Sequence, residues 1–77
     1  AVRLSALEEG RTGVVARVSD TEPELLRYFA EVGIVLDAPV RVVARRDVVG
    51  TMDVEVASTV VALGLAAADA AWVVVDG

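Results

Sequence analysis

The stretch Val40-Arg41-Val42-Val43-Ala44-Arg45-Arg46-Asp47-Val48-Val49-Gly50-Thr51-Met52-Asp53-Val54-Glu55-Val56-Ala57 decides the fold. From Met52 onward, Met52, Val54 and Val56 alternate with Asp53 and Glu55. That period of two is the signature of a strand with one face buried and one face wet. Val40 to Arg46 predicts a second strand, with Val40, Val42 and Ala44 on one face and Arg41, Val43 and Arg45 on the other. Asp47 to Thr51, with Gly50, reads as a hairpin loop longer than the minimal two residues.

The same reading extends in both directions. Downstream, Ser58-Thr59 predicts a tight connection, Val60–Leu63 a short strand stopped by Gly64, and Leu65–Ala71 one helical turn. Trp72–Val75 closes the chain as a last strand. Upstream, Gly13–Val18 is a strand rich in β-branched residues. One helix is expected between them, from about Glu22 to Val32. Thr21-Glu22-Pro23-Glu24 fits a capping box with Thr21 as N-cap, and Leu25, Phe29 and Val32 form one apolar stripe. Gly33 suits the left-handed position that stops a helix. Several short strands with tight turns in 77 residues predict a mainly β domain with one or two short helices, built as a small barrel. Closing the sheet hides its edges, which a valine-rich chain needs.

Composition narrows the function. The chain has 12 acidic and 7 basic residues, all of the latter arginine, for a net charge of −5. It contains no Cys, His, Lys, Asn or Gln. Zinc sites of Cys and His are therefore excluded, as are nucleophile systems that depend on histidine. Acid–base catalysis near neutral pH would need a strongly perturbed carboxylate, so a non-enzymatic domain is expected. The charge has the wrong sign for a nucleic-acid surface. Val56–Val75 is hydrophobic, but Asp69 lies within it and its valine pairs flank an alanine patch. It reads as strands around a short connection, with no insertion into a membrane. The start at Ala1 shows no basic region followed by an apolar one, so no signal peptide is expected.

Three clusters carry candidate chemistry. Asp20, Glu22 and Glu24 are the densest carboxylates. They read either as oxygen ligands of a hard metal ion, which would make the domain a small metal carrier, or as acids complementing the start of the helix. Arg41, Arg45 and Arg46 read either as contacts to phosphate or an acidic partner, or as a solvated face paired with Asp53 and Glu55. Tyr28, Phe29 and Trp72 are the aromatics. They read as core packing, or, for Trp72, as the wall of a groove for an extended or proline-rich peptide. The candidate partner surface is Tyr28, Arg41, Arg45 and Trp72.

Leu4-Ser5-x-Leu7-x-x-Gly10 precedes a valine-rich strand, and Leu25-Leu26-Arg27-Tyr28-Phe29-Ala30-Glu31-Val32-Gly33-Ile34 precedes a turn and Val40-x-Val42. Both resemble the FeoA family (ferrous iron transport protein A). Val54-x-Val56, Val61-Ala62-Leu63, the alanine turn and Val73-x-Val75 are similar to that family's closing strands. Val18-Ser19-Asp20-Thr21-Glu22-Pro23-Glu24-Leu25-Leu26-Arg27-Tyr28 and Ala62-Leu63-Gly64-x-x-Ala67-Ala68 resemble the C-terminal domain of metal-dependent repressors of the diphtheria-toxin-repressor family.

The resemblance implies one SH3-like barrel of about five strands over residues 1–77. In the cytoplasmic repressors this domain follows a winged-helix DNA-binding domain and a dimerisation domain holding the main Fe²⁺ or Mn²⁺ sites. It lends an ancillary ligand there, and contacts a proline-rich linker or the DNA-binding domain without touching nucleic acid itself. In the transport family it stands alone and regulates an iron permease through the permease's cytosolic domain. The sequence departs from the family at Leu36-Asp37, where Pro-Gly is common, and at Val48-Val49-Gly50, which lacks a Gly-Gly-Pro character. With no glutamine present, Asp20, Glu22 or Glu24 would have to supply the ancillary ligand.

Overall fold

The alternation of Met52, Val54 and Val56 is realised in a computed structural model, which describes residues 1–76. Strand β4 (Thr51–Val56) buries Met52, Val54 and Val56 and leaves Thr51, Asp53 and Glu55 half-exposed. It lies between β3 (Pro39–Arg46) and β5 (Thr59–Gly64). Strands β1 (Val2–Arg3), β2 (Thr12–Val18) and β6 (Ala71–Val75) complete one antiparallel sheet of six strands in the order β1-β6-β2-β3-β4-β5. The sixth strand beyond the five expected is the two-residue β1, too short to carry a periodic signal.

The sheet curls without a hydrogen-bonded seam among the described residues, since β1 and β5 are its two ends. A 3₁₀ turn (Leu4–Ala6) and the short helix α2 (Leu65–Ala68) contact each other. The Ser5 hydroxyl donates to the Asp69 carboxylate just beyond α2. The core inside is wholly apolar among the described residues, with Leu4, Phe29, Ile34, Met52 and Leu63 among its largest buried side chains. This is the small SH3-like architecture, mainly β, that was expected.

Helix α1 (Pro23–Val32) starts one residue later than the capping box implied. The residue before a proline is pushed out of the helical region, and Glu22 is accordingly extended, with φ −123° and ψ 101°. Glu22 thus takes the N-cap position, with no side-chain cap, and the Thr21 hydroxyl bonds to Ser19 Oγ at 3.0 Å. The helix ends as expected. Gly33 adopts φ +93°, its N–H donates to the Ala30 carbonyl, and Ile34 N–H donates to the Phe29 carbonyl. Ile34 and Phe29 both enter the core, so the helix stop also sets the core packing.

Two strands are bulged, and both bulges change what the alternation predicts. In β3, Val42 faces Val54, but the next pair is Ala44 with Asp53, so Val43 is the extra residue. Arg45 therefore pairs with the buried Met52 and turns off the face it was expected to share with Arg41. In β2, Val15 faces Val73 and Arg17 faces Trp72, so Ala16 is the extra residue. Each bulge shifts the period by one and moves an arginine to the opposite face.

Candidate interaction site on the outer sheet face

The site grows from three adjacent strands. Trp72 on β6 pairs with Arg3 on β1 and with Arg17 on β2. Its neighbour Val73 points into the core, so Trp72 points outward and is half-buried. The guanidinium carbons of Arg3 and Arg17 lie 5.6 and 4.9 Å from its ring, within cation–π range. The bulge at Ala16 makes this row, because without it Ala16 would stand opposite Trp72. No carboxylate lies within ion-pair distance of Arg3 or Arg17 among the described residues.

Two grooves adjoin the row. One, of about 400 Å³, is lined by Arg3, Ser19, Thr21, Leu25, Asp69 and Trp72, among others. The other, of about 490 Å³, lies between β2 and α1 and is mostly apolar, with Leu26, Ala30, Val35 and Leu36 on its walls and Arg17 and Asp20 at its rim. The end of β2 and the residues after it form the ridge between them, Ser19 facing one groove and Asp20 the other.

The remaining candidate residues are dispersed. Asp20, Glu22 and Glu24 are all exposed, and Asp20 and Glu22 line different grooves. Among the described residues no three acidic side chains gather as a metal site. Each of these carboxylates stands apart from the others, where a hard cation takes roughly six or more oxygens from several groups. Tyr28 is exposed on α1, its ring 6.5 Å from that of Phe29. Arg41 bonds Glu55 at 3.2 Å on the outer face of β3 and β4.

Arg45 is committed within the domain. Its guanidinium donates to the carbonyls of Ser5 (2.6 Å) and Leu7 (2.5 Å) and also reaches Asp47, while its backbone N–H donates to Glu9 at 2.7 Å. Arg46 donates to Asp53 at 2.9 Å. That hydrogen bond, helped by the arginine's charge, holds the Asp53 carboxyl below the usual carboxylate range and raises Arg46.

Arg3 and Arg17 escape a reading of the sequence. Alternation from the buried Val15 places Arg17 inward, and only the pairing with β6 turns it out. A signal existed in the cost of leaving an arginine in an apolar interior without a partner, which argues for a bulge near Ala16.

The family model for the FeoA domain matches residues 2–75. The chain belongs to the FeoA domain family. Its fold also aligns with a manganese-dependent transcriptional repressor at 51% identity and a TM-score of 0.93, over 97% of this chain and 41% of that one. A second structure, a manganese-dependent transcriptional repressor in complex with manganese, aligns at 50% identity and a TM-score of 0.89, over 95% of this chain and 35% of that one. The FeoA protein of Stenotrophomonas maltophilia, complexed with zinc and described as an SH3 domain protein, aligns at 35% identity and a TM-score of 0.78, over 99% and 91%. This FeoA domain thus spans little more than a third of the repressors it matches and nearly all of the FeoA protein. No curated protein matches it.

Proposed function

We propose that this FeoA domain is a non-enzymatic, accessory regulatory module of a cytoplasmic metal-dependent repressor, acting on Fe²⁺ or Mn²⁺ activation through contacts with its neighbouring domains or a proline-rich linker. One observation carries the reading: 51% identity over nearly the whole domain to a manganese-dependent repressor of which it spans 41%. Such a module works by contacting two states of its neighbours unequally, since only differential affinity shifts an equilibrium. Trp72 and the grooves beside it offer the contact surface, with Tyr28 on α1 and Arg41 farther along the outer face of the sheet. The metal's role here is ancillary, with Asp20, Glu22 or Glu24 lending one oxygen to an ion held elsewhere.

The test uses the native polypeptide that carries these residues. Under this reading it binds operator DNA in a Mn²⁺- or Fe²⁺-dependent way, and Trp72→Ala shifts the metal concentration at half-saturation by several-fold. DNA binding with an unchanged metal midpoint for Trp72→Ala and for removal of the whole domain overturns it. The second reading, a stand-alone regulator of ferrous iron transport, is favoured by the alignment to the Stenotrophomonas maltophilia protein over 91% of its length. Capture of an iron permease's cytosolic domain by a native chain that lacks a DNA-binding segment selects it.

A further inference from the structure

Among the described residues, the row Arg3–Trp72–Arg17 sets two arginines that make no ion pair against one aromatic ring. The three ion pairs among the described residues all use arginines of β3, namely Arg41, Arg45 and Arg46. The chain has 12 acidic residues, yet none reaches Arg3 or Arg17. Both guanidiniums instead lie against one indole, which limits their motion and leaves their N–H donors unspent on carboxylates. A bulge in β2 is what brings Arg17 there, and bulges are devices that re-aim a side chain.

From this juxtaposition we propose that the outer face of β1, β6 and β2 binds an extended acidic segment of a protein partner. Two carboxylates of that segment accept from Arg3 and Arg17 while its backbone or an apolar side chain lies over Trp72. The dimensions agree. The two guanidinium carbons are no more than 10.5 Å apart, from their distances of 5.6 and 4.9 Å to the shared ring. An extended chain places same-face side chains about 7 Å apart, so acids at alternate positions reach both. Arginine suits the task because its fork of donors matches a carboxylate. Exposed Val74 continues the row along β6 and gives the segment an apolar footing. Glu22 and Asp69, in the groove beside Arg3, repel an acidic chain and confine it to the strip. A nucleic acid fits worse, since a duplex spreads phosphate over a surface that carries −5 overall.

The inference rests on the reading of the domain as an interaction module, but not on which protein carries it. Relatives of nearly this length, such as the Stenotrophomonas maltophilia protein, fold as separate chains, so the 77-residue chain is the object to test. Trp72 is its single tryptophan, so emission and the indole N–H resonance report the site directly. The probe is a capped decapeptide with glutamate at alternate positions and serine between, compared with its glutamine counterpart.

The glutamate peptide is expected to give a saturable change that weakens with salt. Arg3→Ala and Arg17→Ala should each weaken it at least fivefold, with Arg17→Lys retaining part of the binding and Arg27→Ala on α1 retaining all of it. Arg17→Glu should lose the glutamate peptide and gain affinity for a lysine counterpart. No saturation at millimolar peptide, equal binding of the glutamine peptide, or an equal loss with Arg27→Ala each overturns the proposal. So does a response to a short DNA duplex in place of the peptide. A failed titration alongside intact metal-dependent control in the native polypeptide sinks only this inference and leaves the accessory role standing.

Discussion

The two bulged strands make opposite use of an arginine. In β3 the bulge at Val43 turns Arg45 toward the core side, where it caps the carbonyls of Ser5 and Leu7 and ties the chain's first turn to the β3–β4 hairpin. In β2 the bulge at Ala16 turns Arg17 outward onto Trp72, where it makes no ion pair among the described residues. One device, an extra residue that shifts the period by one, therefore yields a structural clamp on one side of the sheet and a bare cationic strip on the other. The first arginine works inside the domain, where desolvated carbonyls would otherwise lack donors. The second contributes little to the fold, since an exposed cation–π contact is worth about 0.5–1 kcal/mol. Its placement makes sense as a surface held ready for a partner.

The harshest way to break the comparison is at the β2–β6 junction. A Cβ at Gly13 would stand 2.7 Å from the Val74 carbonyl oxygen, backbone that cannot swing aside. Gly13→Ala is expected to cost about 2–3 kcal/mol. In a domain this small that is roughly a 10–20 °C fall in melting temperature. It should also shift Trp72 emission, because the strand pair that aligns Arg17 with Trp72 is the one forced apart. A melting temperature within 2 °C of the parent would show that the close approach is easily relieved.

Next comes the inequality between the arginines. Arg45→Ala orphans two carbonyls and is expected to lower stability by about 1–3 kcal/mol, against less than about 1 kcal/mol for Arg17→Ala. Urea denaturation of both variants measures it, and equal losses erase the contrast between the two arginines.

A smaller effect of opposite sign is expected at the β4–β5 turn. Ala57 and Ser58 both hold positive φ, at 51° and 67°, which side-chain-bearing residues resist. Ala57→Asn with Ser58→Gly should stabilise the domain by about 1 kcal/mol and leave the Trp72 row unchanged. A lower melting temperature for this pair would show that the turn is not strained.

The smallest effect is at the paired half of the outer face. Arg46 holds the Asp53 carboxyl below its unfolded value, so its contribution is present above about pH 4 and disappears as the pH falls through the lowered value. Asp53→Asn should flatten the acid limb of the stability curve and leave the slope above pH 6 untouched. An acid limb identical to that of the parent would show that the Arg46–Asp53 pair adds nothing to acid stability.

Much of this was legible in the chain. Met52, Val54 and Val56 announce β4 because a strand with one buried face must alternate, and Gly33 announces the end of α1 because glycine accepts a left-handed backbone cheaply. Even the delayed helix start was legible, since Pro23 dictates an extended Glu22. The site was not. Trp72 could be singled out as a rare aromatic, but its partners Arg3 and Arg17 lie 69 and 55 positions away and meet it only through strand pairing. Arg45 was grouped with Arg41 by a period that Val43 interrupts.

The local elements, the apolar core and the exclusion of histidine- and cysteine-based chemistry were written in the chain, because propensity, periodicity and composition do not depend on which strands pair. Which face each arginine occupies was settled by strand pairing. A bulge is set by the register of two strands far apart in sequence, and one unit of register separates a clamp on the core side from a cation exposed on the surface.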